Sequence, residues 1–137
     1  MNRIDAAGVV LAGGRSLRMG TPKAALEWHG STLLSRTVSV LAEVVDGPVV
    51  VVASPGQELP VLPPGITLVE DPIEGLGPMQ GIATGLRAVS GGAWAAFVSS
   101  TDLPFLHPAF VRRVLRELTT VDVDVVLPFV RGHRQPL

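Results

Sequence analysis

Short apolar runs alternate along the chain with longer stretches in which apolar residues recur every three or four positions. Brief β-branched runs bounded by turn residues read as strands, and the 3.6-residue period reads as helix. The pattern predicts strands over residues 8–12, 49–53, 66–70, 94–99 and 123–127, and helices over 32–45, 79–89 and 108–118. The first helix places Leu34, Val38, Leu41 and Val45 on one stripe, and the second places Met79, Ile82, Leu86 and Val89. Val49-Val50-Val51-Val52-Ala53 has no polar alternate, which suits a strand covered on both faces. Strands alternating with helices predict βαβ units, a parallel sheet and right-handed crossovers. The class is α/β, and in such sheets ligands sit at the C-terminal ends of the strands.

Composition narrows the picture. A length of 137 residues implies one domain, and 47% hydrophobic with 17% charged residues suits a packed core. The formal net charge of −1 argues against bulk binding to nucleic acid or a membrane surface. Cysteine is absent, which removes disulfides, thiolate metal sites and thiol nucleophiles. The apolar run from Val9 is short and meets Gly13-Gly14-Arg15, so it is no secretory signal, and no stretch is long enough to span a bilayer. A soluble cytoplasmic protein is the expectation. His29, His107 and His133 match no zinc spacing, and Trp28 and Trp94 read as packing residues.

The chemistry concentrates at three predicted strand ends. The first strand runs into Gly13-Gly14, followed by Arg15, Arg18 and Lys23, with no acid between Ala6 and Leu26. Glycines let backbone N–H groups approach phosphate oxygens, and the long cations neutralise them. A Walker A loop is excluded because Thr21 and Pro22 separate Gly20 from Lys23, and Gly13-Gly14 does not supply a dinucleotide fingerprint. Two further strands end in acids: Asp71 after Val69-Glu70, and Asp102 in Ser100-Thr101-Asp102-Leu103-Pro104. Carboxylates beside a triphosphate suit a hard divalent cation. The plainer alternatives are turn aspartates and a solvated surface lysine. Glu70 points to the other face and reads as solvated.

The segment Leu11-Ala12-Gly13-Gly14-Arg15-Ser16-Leu17-Arg18-Met19-Gly20-Thr21-Pro22-Lys23 resembles the signature of the nucleotidyltransferases related to molybdenum cofactor guanylyltransferase. The resemblance implies a Rossmann-like three-layer α/β/α nucleotidyltransferase fold with a mostly parallel sheet. It implies transfer of GMP from GTP to the phosphate of molybdopterin, forming a guanine dinucleotide cofactor and releasing pyrophosphate. By resemblance Leu11, Ala12, Gly13, Gly14, Lys23, Asp71 and Asp102 bind the nucleotide, and Asp102 holds Mg2+. Lys23 and Arg18 offset developing charge, so Lys23, Arg18 and Asp102 are the expected catalytic set. Gly77-Pro78-Met79-Gln80-Gly81 matches a family element near the nucleotide, with Gln80 where a small residue is common. Protein partners in molybdenum cofactor biosynthesis, or molybdoenzyme chaperones, are implied in the same way; nucleic acid and membrane are not. Gly13 favours GTP, but a nucleotide-contacting asparagine of some guanylyl members is replaced near Val52-Ala53-Ser54. Cytidyl transfer, sugar-phosphate nucleotidyl transfer and a catalytically silent nucleotide-binding module therefore stay open. Gly132, Pro136 and Leu137 match a segment that in the family leads into the acceptor-binding half. Residues 1–137 are expected to form the N-terminal nucleotide-binding portion of a fold truncated at its C-terminus.

Overall fold

The computed structural model describes residues 2–13, 27–28, 31–101, 103 and 105–134. Strand β1 (Ala7–Leu11) opens the domain, and a short antiparallel pair, β2 (Glu27–Trp28) and β3 (Ser31–Thr32), precedes helix α1 (Leu33–Val44). The Thr32 hydroxyl caps α1 by accepting from the Ser35 N–H at 3.1 Å. Strand β4 (Val49–Ala53), strand β5 (Thr67–Glu70), helix α2 (Pro78–Val89), strand β6 (Ala96–Ser100) and helix α3 (Pro108–Thr120) follow. A hairpin of β7 (Phe129–Val130) and β8 (His133–Arg134) closes the described chain. Its two linking residues, Arg131 at φ 50° and Gly132 at φ 81°, have the left-handed backbone that a tight hairpin turn needs.

The central sheet is parallel throughout, in the order β5-β4-β1-β6. Alternation along its inner strands sorts side chains onto two faces. Val10, Val49 and Val51 pack with Leu34, Val38 and Leu41 of α1 and Val111 and Leu115 of α3. Val9, Val50 and Val52 face the other way, onto Val89 of α2. Helices therefore cover both faces, as the α/β/α expectation requires, and each fully buried valine contributes about 1.5–3 kcal/mol. No helix among the described residues is long and apolar enough to cross a membrane.

Three expectations are corrected. Residues 123–127 do not form a strand: Val123, Val125 and Leu127 are exposed, and β6 has no second strand on its outer side among the described residues. An apolar run marks residues to be covered, but a strand also needs a hydrogen-bonding partner. The sheet-facing stripe of α2 is Gly81, Gly85 and Val89, whereas Met79 and Leu86 are exposed. A Cβ at Gly85 would collide with the Val9 side chain, so small residues set how closely α2 approaches β1. Trp94 precedes β6 and is 53% exposed, so it does not pack as a core residue.

Beside β6 lies an apolar groove of about 1450 Å³, bounded by Ile82 and Leu86 of α2, Phe110 and Val114 of α3, and Val125 and Leu127 beyond α3.

Candidate functional site

The chain order makes one strand end special. From β1 the chain runs through α1 to β4 and then to β5 on one side, and α2 carries it back across the sheet to β6 on the other. The direction of winding reverses between β1 and β6, and ligands in open α/β sheets bind at such a switch point, beyond the strands' carboxyl ends. Leu11 ends β1 opposite Val52 of β4 and Ser100 of β6, so three chain segments leave the sheet together there.

Ala12 and Gly13 continue from β1 without leaving the sheet edge. Both N–H groups are directed to the Val52 carbonyl, at 2.8 Å for Ala12 and 3.2 Å for Gly13. The Ala12 carbonyl accepts from Gln57 Nε2 at 2.9 Å. A Cβ at Gly13 would lie 3.0 Å from Ser54 Oγ and 3.1 Å from the Ser54 nitrogen, so a side chain there would press on the next loop. Glycine thus keeps the exposed Gly13 backbone open to whatever lies above it.

Asp71 extends the β5 ladder by one bond, its N–H donating to the Ala53 carbonyl at 2.8 Å. Ala53 lies between it and the Ala12-Gly13 segment, which puts the two ends two strand spacings apart, about 10 Å. The Asp71 carboxylate is aimed by α2. Thr84 Oγ1 lies 2.7 Å from Asp71 Oδ1 and 3.0 Å from the Gln80 carbonyl, and its single proton favours the charged acceptor. Gly81 admits this arrangement: a Cβ there would meet Leu11 Cδ2 at 3.2 Å and approach Asp71 Oδ2 at 3.8 Å. Gly77, at φ 84°, starts α2 without a side-chain cap, and Pro78 occupies its first turn.

The structure therefore brings Leu11, Ala12, Gly13 and Asp71 to one edge of the sheet. Gly14, Arg18, Lys23 and Asp102 lie outside the described residues, as do Arg15, Ser16 and Thr21. Glu70 is exposed, as its strand position predicts. His107 caps α3, its Nδ1 accepting from the Ala109 N–H at 3.1 Å. Sequence reading missed Thr84 and Gln57. A Ser-Pro-Gly turn directly before Gln57 signals a sharp reversal after β4, but Thr84 carries no such local signal.

A hard cation held at this edge would draw most of its coordination from phosphate and water. Asp71 offers carboxylate oxygens at a strand end, and no group of three or more His, Cys, Asp or Glu side chains is gathered among the described residues.

Comparison with known proteins identifies the family and the fold. The MobA-like NTP transferase domain matches residues 8–137. A probable molybdenum cofactor guanylyltransferase of Mycobacterium tuberculosis is 41% identical over 129 residues, covering 92% of this chain and 63% of its own. This chain thus spans 63% of the length of that curated relative. Among solved structures, 2-C-methyl-D-erythritol 4-phosphate cytidylyltransferase from Thermus thermophilus superposes with a TM-score of 0.67 at 25% identity, covering 97% of this chain and 64% of its own. Molybdopterin-guanine dinucleotide biosynthesis protein A from Archaeoglobus fulgidus shares the fold, with a TM-score of 0.70 at 21% identity, covering 96% of this chain and 64% of its own. With the family domain matched over nearly the whole chain, this protein belongs to the MobA-like NTP transferase family.

Proposed function

We propose that residues 1–137 are the nucleotide-binding portion of an enzyme that transfers GMP from GTP to the phosphate of molybdopterin. A phosphate oxygen of the acceptor attacks the α-phosphorus of GTP, the bond from that phosphorus to the β-phosphate oxygen breaks, and pyrophosphate leaves. The observation that carries this reading is the Leu11-Ala12-Gly13 backbone at the switch point of a parallel sheet, with the Asp71 carboxylate two strands away along the same edge. The 41% identity to a probable molybdenum cofactor guanylyltransferase supports guanylyl transfer over the cytidylyl alternative.

In this reading the backbone of residues 11–13 reads the nucleobase, and Asp71 contacts the nucleotide. Gly14 admits the triphosphate, while Lys23 and Arg18 neutralise the charge that builds on the departing pyrophosphate. Asp102 would hold a magnesium ion, which when bound supplies further neutralisation of the phosphate oxygens. Positioning and charge stabilisation account for the chemistry, and no protein nucleophile is required. Proteins of molybdenum cofactor biosynthesis or molybdoenzyme chaperones would supply the acceptor or take the product, in a cytoplasmic setting.

Calorimetric titration of a full-length version with GTP, CTP and UTP in the presence of Mg2+, followed by pyrophosphate release on addition of molybdopterin, tests the reading. GTP binds tightest and pyrophosphate appears. Absence of Mg2+-dependent GTP binding removes the assignment, tighter CTP binding transfers it to cytidylyl chemistry, and GTP binding with no release in the presence of acceptor leaves a binding module. Asp102→Asn abolishes release with the circular dichroism spectrum unchanged, and retained turnover would take Asp102 out of its role.

A further inference from the structure

The loop after β4 is built to deliver one amide to the end of β1. Ser54-Pro55-Gly56-Gln57 has proline second and glycine third, Gly56 at φ 70°, and the Gln57 N–H donating to the Ser54 carbonyl at 3.1 Å. These are the marks of a type II turn, whose third position needs a positive φ and favours glycine. The turn folds the chain back, and the Gln57 side chain returns over Ser54. Its Oε1 accepts from the Ser54 N–H at 3.0 Å, and its Nε2 donates to the Ala12 carbonyl at 2.9 Å, across a separation of 45 residues.

Those two partners have opposite polarity, one a donor and the other an acceptor. They dictate which end of the amide is nitrogen and which is oxygen, so the group cannot flip to suit a different neighbour. With the Ala12 and Gly13 N–H groups on Val52 and the Ala12 carbonyl on Gln57, the backbone at the end of β1 is held on both sides. Ala12 itself is 6% exposed, and an unsatisfied carbonyl there would be costly.

We propose that Gln57 is a positioning residue that sets nucleobase discrimination by locking the Ala12-Gly13 backbone. This rests on the assignment of the nucleobase to residues 11–13. With both N–H groups spent on Val52, what residues 12 and 13 offer a nucleobase is carbonyl oxygen, and an acceptor held in one direction favours a base edge that presents a donor there. Gln57 acts through Ala12 and leaves the triphosphate to other residues.

Two substitutions separate this from a merely structural role. Gln57→Glu keeps an acceptor for the Ser54 N–H and replaces the donor facing the Ala12 carbonyl by an oxygen. Gln57→Met keeps the length and removes both bonds without adding charge. The full chain and each variant are titrated with GTP, CTP and inorganic tripolyphosphate in Mg2+, and thermal midpoints are measured alongside. Both variants narrow the GTP-to-CTP affinity ratio by about tenfold, the worth of one hydrogen bond, and leave tripolyphosphate affinity within about twofold. A lowered thermal midpoint with the ratio unchanged, in either folded variant, overturns the proposal. If the unsubstituted chain binds GTP, CTP and tripolyphosphate alike, the base-reading assignment fails in that measurement and this inference falls with it.

Discussion

At the scale of single residues, the Asp71 carboxylate depends on a hydroxyl thirteen positions away. Thr84 Oγ1 holds Asp71 Oδ1 at 2.7 Å and thereby leaves the other carboxylate oxygen to face the nucleotide in the proposed reading. Thr84→Val removes that bond and is expected to weaken GTP affinity about tenfold, in line with a hydrogen bond to a charged group, whereas Thr84→Ser retains it. Calorimetry decides, and equal affinities for the Val and Ser variants would show that the bond does not position Asp71 for binding. The place of Asp71 at a strand end was legible from the apolar run before it and Pro72 after it. Thr84 and Gln57 were not, because a side chain's partner across a loop and a helix leaves no periodic trace in the local sequence.

At the scale of elements, α2 shows how a correct boundary can accompany a wrong face. Its span of Pro78–Val89 agrees with the predicted 79–89, since Pro78 suits a first turn and the apolar period continues to Val89. The larger residues Met79 and Leu86 nevertheless face outward, and glycines face the sheet. Hydrophobic periodicity weighs side-chain size, whereas close packing onto valines rewards its absence. Gly85→Ala is therefore expected to destabilise the protein by about 1–3 kcal/mol through overpacking against Val9, although alanine favours helix. Arg87→Ala, on the exposed side of the same helix, should stay within about 0.5 kcal/mol. Urea denaturation measures both, and a stabilising Gly85→Ala would mean that α2 stands further from the sheet. At the N-terminus of α1, Thr32→Ala is expected to cost about 1 kcal/mol by removing the cap.

At the scale of the whole molecule, the described sheet ends at β6, and the apolar groove of about 1450 Å³ runs beside it. Phe105 at 80% and Val125 at 68% exposure contribute to an apolar patch of a kind that folded domains usually limit. Val125→Asp in the 137-residue chain should change stability by no more than about 0.5 kcal/mol and lower the fluorescence of a bound apolar dye. Loss of cooperative unfolding on that substitution would instead place residues 123–127 in a buried strand. The α/β class, seven of the eight predicted elements and the signature of the family were all legible in the sequence. Those features rest on period, turn chemistry and spacing, all of which are local. Three features were not legible there: the winding reverses beside β1, glycines form the inner stripe of α2, and Thr84 and Gln57 reach Asp71 and Ala12. Each of these depends on which distant segments meet, and hydrogen bonding and close packing between strands and helices settle that together.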